Sequence, residues 1–199
     1  LEIDGGRIRT SKSLADNLSS MLMGNDEFVM IDDQKVVFET ALNLAKKASS
    51  KKKQVLIVEG GPGTGKSVVA INLLVKLTSQ KLLTQYVTKN AAPREVYKSK
   101  LTGTFKQTEI SNFFTGSGAF TSTLPNIFDA LIVDEAHRLN AKSGMFKNLG
   151  ENQIKEIINS SKFSVFFIDE NQKVAIHDIG EIDEIELWAN EYNAKITKL

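Results

Sequence analysis

The chain has 199 residues, of which 41% are hydrophobic and 25% are charged, and its formal net charge is +1 at pH 7. This length is enough for one sizeable core, and the composition is that of a globular protein rather than a disordered or fibrous one. No apolar stretch reaches the roughly 18 residues that a membrane-spanning helix needs. Because the sequence has no cysteine, it excludes disulfides, thiolate metal sites and a cysteine nucleophile.

Composition also bears on compartment and partners. The absence of cysteine and of a secretory signal pattern fits a cytoplasmic protein. The chain begins with Leu1 rather than Met, which we interpret as the mark of an excised piece. Two histidines, His137 and His177, are too few for a zinc site. The basic run Lys51-Lys52-Lys53 either attracts phosphates or is a solvated turn, and we expect the solvated turn.

Helix-like and strand-like segments alternate along the chain, which predicts an α/β layer architecture with a mainly parallel sheet. We interpret residues 1–30 as a helical lead-in and residues 31–199 as one domain. In chain order, the predicted helices cover 11–23, 32–50, 65–79, 93–101, 153–160 and 182–192. The predicted strands cover 54–58, 83–88, 128–133, 162–168 and 194–197.

One stretch resists assignment. Residues 102–126 are rich in Gly, Ser, Thr and Phe and end at Pro125-Asn126. We predict a long loop with one or two helical turns, and such a loop in a compact domain is often functional or mobile.

A glycine-rich segment follows the first predicted strand. Its sequence, Gly60-Gly61-Pro62-Gly63-Thr64-Gly65-Lys66-Ser67, matches the P-loop pattern between a strand and a helix. Glycines let the backbone approach phosphates, whose oxygens bind the inward N–H groups and the positive end of the following helix. We therefore expect Lys66 to reach the β- and γ-phosphates of a nucleoside triphosphate and Ser67 to ligate Mg²⁺.

Two later strands end in acidic or amide residues. Asp134 follows the apolar strand 128–133, where P-loop proteins place a carboxylate that supports Mg²⁺, and Glu135 is next to it as a candidate for orienting or deprotonating the attacking water. Gln172 follows the strand 162–168, and we expect it to sense the γ-phosphate. Because ligands sit at the carboxyl ends of parallel strands, all three belong to one edge of the sheet.

Gln34 precedes the phosphate loop, and its amide offers one donor and one acceptor to the edge of adenine. We expect His137 to hydrogen bond beside the site rather than to act in catalysis. The predicted catalytic residues are Lys66, Glu135 and Gln172, and the predicted metal ligands are Ser67 and Asp134. The predicted nucleotide contacts are Gln34, Gly61, Pro62, Gly63, Thr64, Gly65, Lys66, Ser67 and Val68.

Taken together, these motifs resemble the first motor domain of a superfamily 1 helicase. Gln34 resembles the adenine-reading glutamine of that class, residues 60–67 its motif I and residues 134–137 its motif II. Residues 86–92 stand where motif Ia stands, and residues 167–172 resemble motif III. The resemblance implies a RecA-like P-loop domain that binds ATP and Mg²⁺, hydrolyses ATP and handles DNA or RNA.

The amino-acid sequences of several passages resemble those of the DUF2075 family more closely. This is a group of bacterial helicase-like P-loop proteins related to the Schlafen ATPase region. The passages are 87–94, 114–120 and 148–154, and the resemblance extends from about Ser11 onward. Nothing in the chain resembles the second motor domain with its arginine finger, which the resemblance implies beyond Leu199. We therefore expect the isolated chain to bind ATP but to turn it over weakly or not at all.

Two alternatives remain open. One is an ATP-dependent regulatory or defence switch without unwinding activity, in which the loop 102–126 contacts a protein partner. The other is an AAA+-like assembly ATPase, for which Arg94 and Arg138 are the arginines nearest the site edge.

Overall fold

The computed structural model describes residues 2–4, 7–9, 20, 29–91, 112–144, 148–172 and 178–199. The predicted helix 93–101, with Arg94, lies outside the described residues. So does His177, and so does the predicted helix 11–23 except for Ser20, which is helical.

The strands of the described residues form two sheets. They are β1 (Glu2–Asp4), β2 (Arg7–Arg9), β3 (Gln54–Glu59), β4 (Thr84–Val87), β5 (Phe114–Thr115), β6 (Phe128–Val133), β7 (Ser161–Ile168) and β8 (Lys195–Lys198). The last six form one sheet in the order β5-β4-β6-β7-β3-β8, and every pair in it is parallel. The two short strands β1 and β2 pair antiparallel.

Helices cover both faces of the large sheet, and the alternation of strand side chains explains why. The helices are α1 (Asp32–Lys47), α2 (Lys66–Ser79), α3 (Gln153–Ser160) and α4 (Ile182–Glu191). Along β3, Leu56 and Val58 pack in a core with α1 and α2, whereas Val55 and Ile57 pack in a second core with α3 and α4. Because successive side chains of a strand point to opposite faces, a continuous apolar strand needs cover on both sides. The predicted three-layer α/β fold is confirmed.

The boundaries follow the sequence predictions closely. Strand β6 and helix α3 have the predicted bounds, and the other elements predicted within 31–91 and 148–199 differ by a few residues. At the start of α1 the cap is Ile31 rather than an aspartate, and its N–H is bonded to the Gln34 Oε1 atom at 3.1 Å. The Asn152 side chain caps α3 by accepting from the N–H groups of Ile154 and Lys155.

Two predictions need correction. The described part of the loop 102–126 contains the edge strand β5, which was not predicted, whereas its 3-10 turn at Ser117–Phe120 agrees with the predicted helical turn. Its aromatic side chains Phe113, Phe114 and Phe120 are buried in the two cores, so they are not free to contact a partner. The sequence predicts a helical lead-in over residues 1–30, yet residues 2–4 and 7–9 are strands.

Candidate nucleotide-binding site

The phosphate loop connects β3 to α2 over residues 60–65. Its first residue, Gly60, donates its N–H to the carbonyl of Ile168 at the end of β7, at 3.1 Å. Gly63 and Gly65 have φ angles of 75° and 79°, a region that glycine adopts without the steric cost of a Cβ. The loop is therefore fastened to the sheet at its start and turned by glycines before the helix.

Positive charge is concentrated where the phosphate loop joins helix α2. Lys66 is the first residue of the helix, and its Nζ donates to the carbonyl of Gly61 at 2.6 Å and to that of Gly60. The first turn of α2 has no acidic residue, and its cap Gly65 makes no side-chain hydrogen bond. The first N–H groups of the helix, its dipole and the Lys66 ammonium together favour an anion at this point.

Gln34 lies against the phosphate loop although 30 positions separate it from Thr64. Its Nε2 donates to the Thr64 carbonyl at 3.0 Å. A Cβ on Gly65 would lie 2.1 Å from the same Nε2 atom. The structure thus brings Gln34 to the nucleotide-binding loop, and its role as the adenine-reading residue stays a prediction.

The two main motifs meet at one hydrogen bond. Ser67 on α2 donates its Oγ–H to the Oδ2 atom of Asp134, after β6, at 2.6 Å. Asp134 is 3% exposed, and the same Oδ2 atom accepts from the hydroxyl of Tyr86 on β4. Its Oδ1 atom accepts from the Glu135 N–H at 2.9 Å. Asp134 is therefore held firmly beside Ser67 at the carboxyl edge of the sheet.

Glu135 makes contacts that the sequence did not reveal. Its backbone has a φ of 53°, and its Oε2 atom accepts from the Asn90 Nδ2 at 2.6 Å and from the Thr88 Oγ at 3.3 Å. Together with Tyr86, these two residues belong to the passage that resembles motif Ia. The resemblance to motif Ia indicates that Tyr86, Thr88 and Asn90 lie near the site, but it does not indicate which atoms they contact.

The end of β7 lies at the same edge. Asp169 is buried, its Oδ1 accepts from the Asn171 N–H at 3.2 Å, and its Oδ2 has no hydrogen-bond partner within the described residues. The predicted sensor Gln172 belongs to the 3-10 turn Glu170–Gln172 and is exposed. Its contact with the γ-phosphate stays a prediction.

His137 is buried in the 3-10 turn that follows Glu135. Burial lowers the pKa of its imidazole, the Glu135 carboxylate opposes that shift, and Arg138 and Lys66 add to it. Its Nδ1 atom lacks a hydrogen-bond partner within the described residues, so the hydrogen bond that we expected beside the site is not seen at this nitrogen.

The donor set at this edge suits Mg²⁺ bound to a nucleotide. A hydroxyl and a carboxylate oxygen, from Ser67 and Asp134, are the hard ligands that Mg²⁺ prefers, and Mg²⁺ completes its shell with waters and substrate phosphates. Across the described ranges, no cluster of three or more His, Cys, Asp or Glu side chains could hold a metal by itself. The Ser67 and Asp134 oxygens therefore fit a Mg²⁺ ion whose remaining ligands are waters and a triphosphate.

With this geometry established, the comparisons with known proteins identify the family. Residues 53–199 match the family described as Schlafen group 3, DNA/RNA helicase domain. The chain belongs to this Schlafen group 3 helicase-domain family. It is accordingly a nucleotide-binding, helicase-like domain of the P-loop class, and the matched range begins just before β3 and includes the whole six-stranded sheet.

Other comparisons are more distant. A solved structure titled as a DNA replication initiation factor is similar to this chain with a TM-score of 0.44 and 13% identity, over 85% of this chain and 47% of that one. The Schlafen-family chain thus spans about half the length of that structure. No curated protein matches the sequence. Within the described residues, no helix has the length and apolar character of a membrane span.

Proposed function

We propose that this chain binds ATP with Mg²⁺ at its phosphate loop and hydrolyses ATP in support of DNA or RNA handling. The observation that carries the proposal is the 2.6 Å hydrogen bond between the Ser67 hydroxyl and the Asp134 carboxylate. It brings together two oxygens from distant parts of the sequence in the arrangement that a magnesium–triphosphate complex needs.

The other residues take complementary roles in this proposal. Lys66 neutralises the β- and γ-phosphates, and the loop N–H groups and the α2 dipole bind the same oxygens. Glu135 orients the attacking water and accepts its proton. Gln34 contacts adenine, and Gln172 responds to the γ-phosphate. Mg²⁺, when bound by Ser67 and Asp134, supplies charge neutralisation of the phosphates.

We further propose that the domain comprises residues 31–199, that the chain lies within the DUF2075 group, and that it works in the cytoplasm. A second motor domain in the same protein would supply the arginine that completes the site. Turnover by residues 1–199 alone should therefore be slow, because an arginine from another domain contributes strongly to catalysis in this class.

The test is ATP turnover in the full-length protein with and without single-stranded DNA or RNA. We expect Mg²⁺-dependent turnover that Lys66→Ala lowers roughly 100- to 1,000-fold and that one of the polynucleotides stimulates. Robust turnover unchanged by Lys66→Ala would contradict the assignment of the site. Turnover without stimulation, together with no salt-dependent polynucleotide binding, would favour a nucleotide switch instead.

A further inference from the structure

Four lysines lie along the amino edge of the large sheet, where its parallel strands begin and which is opposite the phosphate loop. Lys51 and Lys52 belong to the turn that leads from α1 into β3, Lys81 precedes β4, and Lys195 is the first residue of β8. All four residues are exposed. We call these four residues the lysine row.

Contacts between the strands and the turns bring the lysine row together. Strand β8 begins beside β3, where the Lys195 N–H donates to the Lys53 carbonyl at 2.9 Å. Towards β4, Leu82 and the turn residue Ser50 are among the residues that line one cavity of about 180 Å³. The lysines that adjoin these two residues in sequence therefore lie at the rim of the same cavity. From β4 to β8 the edge crosses four strand spacings, which is about 19 Å at ~4.8 Å per spacing.

The positive charge of the lysine row is not neutralised by any carboxylate of the described residues. None of its four ammonium groups forms an ion pair or a hydrogen bond within that part of the chain. Asp129, which also lines the cavity, is already paired with Lys162 at 2.6 Å. Glu191 ends α4, on the opposite face of the sheet from α1. The charge of the row is therefore available to a ligand from solvent.

Stabilisation of helix ends explains other lysines of this edge but not the lysine row. Lys46 and Lys47 lie in the last turn of α1 and Lys76 in the last turn of α2. A cation in a last turn stabilises the negative end of the helix dipole. The lysine row lies outside the described helices, so this reason does not apply to it. With three exposed neighbours on the helices, it makes this edge strongly basic.

The other side chains of this edge indicate which kind of polyanion fits it. The large hydrophobic side chains that are exposed in the described residues lie outside these basic segments, and none of them is aromatic. Surfaces that bind anionic membranes add apolar side chains to their cations, and surfaces that bind unpaired strands add aromatic ones for stacking. Lysines without either suit a duplex backbone, which carries one negative charge per ~1.7 Å of axis and so about eleven charges over ~19 Å.

We propose that the lysine row binds the backbone of duplex DNA or RNA, independently of base sequence and of ATP. The choice of a nucleic acid rests on the proposed function, whereas the location of the surface rests on the distribution of charge. Strand β3 separates this edge from the phosphate loop by about 20 Å at ~3.3 Å per residue. A duplex and a nucleotide can therefore be bound at the same time.

The experiment measures how the full-length protein binds a labelled DNA duplex of mixed sequence, without nucleotide and across a series of salt concentrations. One variant combines Lys51→Gln with Lys52→Gln, and a second combines Lys81→Gln with Lys195→Gln. Each should reduce the slope of log affinity against log salt by about 2, because one phosphate contact contributes about 0.9. The KM for ATP should be unchanged in both variants. An RNA duplex of the same sequence, measured in parallel, shows which of the two nucleic acids binds more tightly.

The matched control combines Lys155→Gln with Lys198→Gln. These lysines pair with Glu151 and Glu186, so the control removes the same charge outside the lysine row. It should leave the affinity and the salt slope unchanged. Melting temperatures of the three variants check that each is folded, and the two row variants test the proposal independently of each other.

Failure of the inference is distinguishable from failure of the proposed function. An unchanged salt slope in both row variants contradicts the lysine row, and the proposed function stands if polynucleotide still stimulates wild-type ATP turnover. Wild-type binding to phosphatidylserine vesicles but not to either duplex would assign the row to a lipid surface and overturn the proposal. A protein that hydrolyses no ATP, but whose row variants lose duplex binding, would contradict the proposed function and support the lysine row.

Discussion

Two lysines lie beyond the ends of strand β3, Lys53 before its amino end and Lys66 after its carboxyl end, and they have different roles. Lys53, just before the amino end, is 8% exposed and donates through Nζ to the carbonyls of Ile158 and Ser161 at 2.9 Å and 2.6 Å. Lys66, beyond the carboxyl end, contacts only carbonyls of the loop and the Thr64 hydroxyl among the hydrogen bonds of its described surroundings.

The roles of the two lysines differ because Lys53 lies at the carboxyl end of helix α3, whereas Lys66 lies at the amino end of helix α2. Lys53 lies at the last turn of α3, where unpaired carbonyls and the negative dipole end bind a cation. Lys66 begins α2, where the dipole end is positive and an added cation is stabilised only when an anion joins it. The same side chain is therefore structural at the amino edge of the sheet and available for a ligand at the carboxyl edge.

The largest effect should come from Lys66→Ala. We expect ATP turnover to fall roughly 100- to 1,000-fold, as when a donor to a developing charge is lost, whereas the melting temperature should change little because Lys66 closes no core contact. The matched control is Lys76→Ala at the exposed last turn of the same helix, which should keep normal turnover. A Lys66→Ala protein that loses stability but keeps its turnover would show that Lys66 is structural, which would contradict its assignment to ligand binding.

Lys53→Met should produce the opposite pattern. It keeps the aliphatic length but leaves the α3 carbonyls without their donor, which should cost roughly 2–3 kcal/mol of unfolding free energy. ATP affinity should be unchanged, since β3 separates this residue from the phosphate loop by about 20 Å at 3.3 Å per residue. Denaturant unfolding and nucleotide titration measure the two quantities. Lys52→Met is the control, because Lys52 is exposed, and a similar loss in both variants would argue against the buried contacts.

A smaller effect should separate two glycines of the phosphate loop. Gly65→Ala places a Cβ at a positive φ and 2.1 Å from the Gln34 Nε2 atom, whereas a Cβ on Gly61 meets nothing within 4 Å. We expect Gly65→Ala to lower the unfolding free energy by about 1–2 kcal/mol and Gly61→Ala to lower it by less than half of that. Thermal unfolding of the two variants without nucleotide compares them directly, and equal melting temperatures would contradict the left-handed backbone conformation of Gly65.

The smallest expected effect is a change of stability with pH, which tests the burial of the Lys53 ammonium. Burial lowers the pKa of the Lys53 ammonium to about 8, while the unfolded chain keeps that proton up to about pH 10.4. Between these values the unfolded state binds more protons, so the stability of the wild type should rise with pH relative to Lys53→Met. Melting temperatures of both proteins from about pH 7 to pH 10 test this. A difference that stays constant across the range would contradict it.

Sequence patterns predicted the large elements well because each carries its own signal. Apolar runs bounded by turn residues predicted five strands of the large sheet, and 3.6-residue periodicity predicted the helices on both faces. Strand β5 was not predicted because its two residues, Phe114 and Thr115, are ordered by pairing with Tyr86 and Val87 and have no sequence pattern of their own. Its position depends on a neighbour that is distant in sequence.

The same limit applies to single side chains. The sequence suggested that Lys53 is solvated with Lys51 and Lys52, and this was wrong, because only the packing of α3 against β7 brings acceptors around its ammonium. The meeting of Ser67 with Asp134 was predictable, since the carboxyl ends of parallel strands share an edge. The contacts of Asn90 and Thr88 with Glu135 were not, because they depend on side-chain orientation.

The most direct test of the central claim is the Mg²⁺ dependence of ATP binding in Ser67→Ala, Asp134→Asn and the double variant. If both oxygens serve one metal–triphosphate complex, each single variant should lose most of the affinity that Mg²⁺ adds in the wild type. The double variant should lose little more, because the two losses are not additive for residues in contact. Mg²⁺ strengthening ATP binding equally in all four proteins would contradict the account.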